Sequence, residues 1–218
     1  MTVSRVLLLR HGRTEHNADG RWQGQLDTHL DDVGLAQAER VAEVLAAPVE
    51  RRLAAGERVR LVSSDLSRAR CTAALLERRT GLTAIEDARL REIHGGAWQN
   101  LTPAEVAAAG MAEELERWRG GEDVPVGGGE RRSEAARRGA KAVAEHDAAQ
   151  DGGLLVVVAH GGVLRGVTLC LLGLPPGEWE LLGGIGNCHW VVLDPRVQTA
   201  DRWRLVTYNA GPDGAAGL

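Results

Sequence analysis

Val6-Leu7-Leu8-Leu9-Arg10-His11-Gly12 and Leu154-Leu155-Val156-Val157-Val158-Ala159-His160-Gly161-Gly162 follow one plan: an apolar run ends in a histidine and a glycine. A short apolar run closed by a breaker reads as a strand buried on both faces. The first such strand is placed at Ser4–Arg10 and the second, the most apolar in the chain, at Leu154–Ala159. Between and around them the pattern changes to helical periodicity. Asp31 caps a helix with Leu35, Ala38, Ala42 and Leu45 on one face, and Pro48 is its expected stop. Arg60–Ser63 reads as a short strand and Leu66–Thr80 as a helix closed by Gly81. Thr102-Pro103-Ala104-Glu105 is a capping box that opens a helical stretch to about Arg119, broken at Gly110. Gly120–Gly129 reads as a loop, and Ser133–Ala149 and Gly162–Leu172 as helices. His189–Leu193 and Trp203–Tyr208 read as strands joined by a turn at Asp194-Pro195. Strands alternating with helices, around apolar central runs, predict an α/β layer fold with helices on both sheet faces.

A chain of 218 residues is the length of one domain. The expected organisation is a single domain over residues 1–210, a lid-like insertion at about 94–132, and a flexible tail at 211–218. A net charge of −4 argues against a dedicated nucleic-acid binder. Cys71, Cys170 and Cys188 are odd in number and widely spaced, which disfavours a zinc ribbon or a disulfide scaffold. Val6–Leu9 is too short for a signal core and Leu154–Ala159 too short for a membrane span. A soluble cytoplasmic protein is therefore expected, with no membrane partner. Lys141 is the sole lysine, so arginine richness is a property of the whole composition and carries meaning only in local context.

Ligands of open α/β sheets collect at the carboxyl ends of the strands. Both histidine-glycine steps fall at such ends. Glycine beside each histidine lets backbone N–H groups approach a ligand closely. A helix beginning directly after His160 favours an anion there. Arg68, in Ser64-Asp65-Leu66-Ser67-Arg68, lies at the start of another helix, so Arg10 and Arg68 are suited to grip one phosphate from two sides.

Leu8-Leu9-Arg10-His11-Gly12-Arg13-Thr14-Glu15-His16-Asn17 resembles the signature of the histidine phosphatase superfamily, which includes the phosphoglycerate mutases. Arg21–Asp27, Ser63–Ala73, Leu90-Arg91-Glu92-Ile93 and Ala159-His160-Gly161-Gly162 resemble its other blocks in the same order. The resemblance implies a three-layer sandwich, with a mostly parallel mixed sheet flanked by helices. It also implies a phosphohistidine mechanism that needs neither metal nor cofactor. Carried over, His11 is the nucleophile. Arg10, Arg68 and His160 surround the phosphoryl oxygens, and Glu92 is the proton donor to the leaving oxygen. Asn17, Gln23, Gly24 and Gly161 add substrate contacts. Three positions depart from the family pattern: His29 before Leu30, Asn100 where glycine is usual, and Arg131 where serine follows Gly-Gly-Glu.

The implied activity is hydrolysis of a small phosphate monoester. Leu182–Asn187 with Trp190, and Arg202–Leu205 with Asn209-Ala210, resemble the bacterial glucosyl-3-phosphoglycerate phosphatases. Other sugar, cyclitol or nucleoside phosphates stay open as substrates. A phosphoglycerate mutase and a catalytically idle phosphate-binding module are the competing classes. The compact block Arg91–Gly96 favours a phosphatase over a mutase, and the complete set of groups disfavours the idle module. The expected partner is the small-molecule ester, and a homodimer stays open.

Overall fold

The computed structural model describes residues 4–175, 178–196 and 203–214. Strand β1 (Arg5–Arg10) leads into a one-turn helix α1 (Glu15–Ala18) and the long helix α2 (Asp32–Ala54). Then come β2 (Val59–Ser63), α3 (Ser67–Thr80) and the two-residue β3 (Ile85–Glu86). Short helices α4 (Pro103–Val106) and α5 (Ala112–Arg119) precede α6 (Arg132–Ala148), β4 (Leu154–Ala159) and α7 (Gly161–Leu171). The chain returns through β5 (Trp190–Pro195) and β6 (Trp203–Ala210).

Six strands form one sheet in the order β3-β2-β4-β1-β5-β6. The first four are parallel, β5 is antiparallel to β1 and β6 antiparallel to β5, so the mixed, mostly parallel sheet expected from the sequence is what the chain builds. Side chains alternate across β1. Leu7 and Leu9 pack with α2 and α3 on one face, while Val6 and Leu8 pack with α6 and α7 on the other. Both faces are therefore apolar, which explains why β1 and β4 read as continuous runs rather than alternating ones. A third apolar cluster, with Trp98, Val106, Leu115 and Val126 at its heart, holds the segment between residues 93 and 131 against α6 and α7.

Two local readings need correction. Pro48 lies inside α2, which continues to Ala54. The buried stripe Val41, Leu45, Val49 runs straight through the proline, and its packing on the sheet outweighs the lost backbone hydrogen bond. Asp194 and Pro195 are the last residues of β5, paired with Arg204 and Trp203, rather than a turn. The ladder with β1 ends at Leu193, so the missing N–H of Pro195 removes nothing from that side. Asp194 is instead held in the sheet by Arg5 at 2.6 Å. The connection to β6 falls outside the described residues. The expected tail begins as an ordered turn at Pro212–Gly214, where Asp213 accepts from Arg40 at 2.5 Å; residues 215–218 lie outside the described residues.

Candidate active site

The topology brings three neighbouring strand ends together. Parallel pairing sets Arg10 against Ala159 and Ser63 against Val158, so His11, His160 and Ser64 leave the same edge of the sheet side by side. The His11 and His160 rings meet edge to face, with centroids 5.1 Å apart. Gly12 and Gly34 allow this loop to sit against the start of α2: a Cβ on Gly34 would fall 1.9 Å from the Arg13 carbonyl oxygen.

The hydrogen-bond partners set the protonation of both rings. Nδ1 of His11 lies 2.6 Å from the Gly12 carbonyl, which only accepts, so Nδ1 carries the proton. Burial, then the charges of Arg10 and Arg68, push this imidazole well below its ordinary pKa. The ring is neutral, and Nε2 keeps a lone pair. His160 has the opposite tautomer. Its Nδ1 accepts from Arg68 Nε at 3.2 Å, and its Nε2 donates to Ser64 Oγ at 2.9 Å. Burial, then Arg68, His11 and Arg10, likewise keep it neutral.

Arg68 is fully buried in the first turn of α3. Its Nη1 donates to the Leu26 carbonyl at 2.7 Å and its Nη2 to the Gly24 carbonyl at 2.8 Å. Burial lowers its pKa to about 10, and it stays cationic at neutral pH. Arg10 Nη1 donates to the Ile185 carbonyl at 2.6 Å, and its Nε is buried without a partner among the described residues. A Cβ on Gly161 would come within 3.2 Å of that Nε, so the start of α7 lies against the guanidinium.

Glu92 reaches the same corner from the segment after β3. Its carboxylate accepts from the N–H groups of Gly162 and Val163, each at 2.9 Å, and so caps α7. A third bond comes from the Ile93 N–H at 2.9 Å. Asn17 and Gln23 are held by one hydroxyl: Thr14 Oγ1 donates to the Gln23 side-chain oxygen at 3.0 Å and lies 3.2 Å from that of Asn17. Gly24 takes φ 53°, the left-handed turn that aims its carbonyl at Arg68.

A cavity of about 440 Å³, within the size range of small-molecule sites, gathers these groups. Arg10, His11, Asn17, Gln23, Gly24, Arg68, Glu92 and Gly161 all line it, and His160 stands directly behind His11. Of the nine residues expected from sequence, His160 alone does not reach the cavity surface. The far wall holds Trp22, Trp118, Arg165 and Trp179. Arg165 and Trp179 were not among the expected residues. Arg165 had a readable signal, since it lies four residues after Gly161 on one helix and hence on the same side. Trp179 had none, because it stands on a single 3-10 turn that carries no periodic pattern. Asn100, where glycine is usual, keeps the left-handed backbone at φ 68°, a conformation asparagine adopts more readily than most residues. Among the described residues no three His, Cys, Asp or Glu side chains gather as metal ligands, and no helix is long and apolar enough to cross a membrane.

Known proteins resemble the chain over almost its full length. It is 43% identical to the glucosyl-3-phosphoglycerate phosphatase of Mycolicibacterium vanbaalenii, with 96% of each chain covered. The structure of a mycobacterial glucosyl-3-phosphoglycerate phosphatase in complex with VO3 superposes with a TM-score of 0.81 at 40% identity, covering 95% of this chain and all of that one. A metal-independent phosphoserine phosphatase of Arabidopsis thaliana is 36% identical over 77% of this chain and 68% of its own. The profile of the histidine phosphatase superfamily, branch 1, matches residues 6–211, and the chain belongs to that superfamily.

Proposed function

We propose that the protein is a metal-independent phosphatase that hydrolyses glucosyl-3-phosphoglycerate or a closely related sugar phosphate through a phosphohistidine. One observation carries the mechanism. The Gly12 carbonyl holds the proton of His11 on Nδ1, which leaves the Nε2 lone pair for phosphorus, in a cavity also lined by Arg10 and Arg68. In the first step Nε2 attacks phosphorus and a P–N bond forms as the ester P–O bond breaks. Glu92 delivers its proton to the departing alkoxide. In the second step the Glu92 carboxylate takes a proton from water, the water oxygen attacks phosphorus, and the P–N bond breaks to restore neutral His11.

The positive charge that such a transition state needs comes from guanidinium groups fixed before substrate arrives. Arg68 is braced by two backbone carbonyls and His160, and Arg10 by the Ile185 carbonyl. His160 works mainly through Arg68, because both its nitrogens are bonded to protein. Asn17, Gln23, Gly24 and Gly161 give polar contacts around the phosphoryl group. The segment at about 94–132 covers the far side of the cavity with Pro103, Trp118 and Val126, and we assign it the part of a lid that selects the alcohol half. A cytoplasmic location and a homodimer belong to the same reading.

The substrate is supported by the 43% identical phosphatase of that name, matched end to end. The test is release of phosphate from glucosyl-3-phosphoglycerate with EDTA present. The expected products are inorganic phosphate and glucosylglycerate. Turnover that appears only after magnesium is added would contradict the reading, as would conversion of 3-phosphoglycerate to 2-phosphoglycerate in place of hydrolysis.

A further inference from the structure

The far wall of the cavity holds a guanidinium that the phosphate chemistry does not use. Arg165 lies one turn down α7 from Gly161, about 6 Å along the helix axis at 1.5 Å per residue. Nη2 of Arg165 donates to the Trp179 carbonyl, and its Nε is buried with no hydrogen-bond partner among the described residues. No carboxylate pairs with it among the described residues. Arg21, also on the cavity wall, differs: Glu105 neutralises it at 2.6 Å.

The surroundings make the charge of Arg165 costly. Two guanidiniums lie over the Trp179 ring, that of Arg165 at 5.0 Å and that of Arg132 at 5.1 Å from its centroid. Arg132 is itself buried, stacked on Trp118 at 3.9 Å, and forms no ion pair among the described residues, although Asp123 and Glu180 partly offset its charge as Glu180 does that of Arg165. Two like charges at one indole repel each other, and burial followed by that repulsion lowers the pKa of Arg132 to about 10. An anion bound at Arg165 would relieve this cost. A buried or half-buried cation without its counter-ion is ordinarily found where a ligand supplies one.

We infer that Arg165 is a specificity-determining residue. It binds a second anionic group on the substrate, a carboxylate on the alcohol half, about one helical turn from the phosphoryl site. The substrate class is a phosphate monoester whose alcohol carries a carboxylate, with Trp179 backing the guanidinium. The inference rests on the phosphatase reading above and adds to it the means by which carboxylated esters are preferred to neutral ones.

The test compares 3-phosphoglycerate with glycerol 3-phosphate, which share a three-carbon frame and differ in the carboxylate. Wild-type enzyme is expected to favour 3-phosphoglycerate in kcat/KM. Arg165→Gln should reduce that preference by on the order of 10–100-fold, the range for a charge-assisted hydrogen-bonded pair, and chiefly through KM. Arg165→Lys keeps the charge without the fork and should recover part of the preference. If Arg165→Gln does not fold, Arg165→Lys alone decides: its loss must be larger for 3-phosphoglycerate. Equal losses on both substrates overturn the inference, and so does a wild-type enzyme that hydrolyses both equally. Failure of the phosphatase reading looks different, since wild-type enzyme would then release no phosphate from either ester or from p-nitrophenyl phosphate.

Discussion

The two neutral histidines at the strand ends exact a stability cost that depends on pH. Burial holds His11 and His160 well below 6.5 in the folded chain, whereas the unfolded chain restores the ordinary value. Between those pKa values the unfolded state binds more protons. The cost is therefore absent above about pH 6.5 and grows as pH falls from there toward the depressed folded values. Tm should decline on acidification from roughly pH 7 to pH 5, and His160→Asn should make that decline shallower. A level Tm over this range would contradict the buried neutral pair. Glu92 is the other residue whose role separates by experiment. General acid catalysis contributes about 10²–10⁴-fold, so Glu92→Gln should lose that much of the phosphorylation rate with an alkyl phosphate. With p-nitrophenyl phosphate, whose leaving group needs little protonation, rapid-quench measurement should show a much smaller loss. Equal losses would assign Glu92 to holding α7, where its bonds from the Gly162 and Val163 N–H groups already place it. Arg10, His11, Arg68 and Glu92 were legible in the sequence because each stands in a short block with a local signal. The bracing of His160 by Ser64 and Arg68 was not, because only the alignment of β2 beside β4 creates it.

Helix α2 is where local and tertiary signals conflict. Pro48 reads as a terminator because it lacks an N–H and crowds the preceding turn. The structure keeps it inside the helix, with Val49 buried in the core directly after it. Pro48→Ala restores the missing hydrogen bond without touching the buried stripe. It should raise stability by about 1–3 kcal/mol, measured by denaturant melts. A loss of stability would mean that the proline packs in a way the helix needs. The Asp194-Pro195 reading failed for a related reason. The dipeptide has turn chemistry, but the Arg5 ion pair and the β6 ladder hold it extended. Elements with a strong local signal, the continuous apolar runs of β1 and β4 and the single buried face of α3 closed by Gly81, were read nearly to the residue. In the segment between residues 94 and 131 the capping box of Thr102, the break at Gly110 and the end at Arg119 were legible, whereas where the short helices sit depends on a cluster shared with α6 and α7.

At the scale of the whole molecule, the sheet order explains why one cavity holds groups from six separate segments. β4 enters between β1 and β2 late in the chain and sets His160 beside His11, although 149 residues separate them. The loop after β1, the start of α3, the Glu92 segment and α7 then close around that edge. The strand-end rule located this edge from sequence alone, while the far wall with Arg165 and Trp179 needed the fold. The central claim is a covalent phosphoryl group on His11, and trapping it is the most direct measurement. Enzyme mixed with substrate and quenched in alkali within milliseconds, where phosphohistidine survives, should carry one phosphoryl group on the peptide containing His11. The label should be absent from His11→Asn enzyme, which should also show no turnover. A wild-type enzyme that turns over without any such label, or carries it on another residue, would contradict the account.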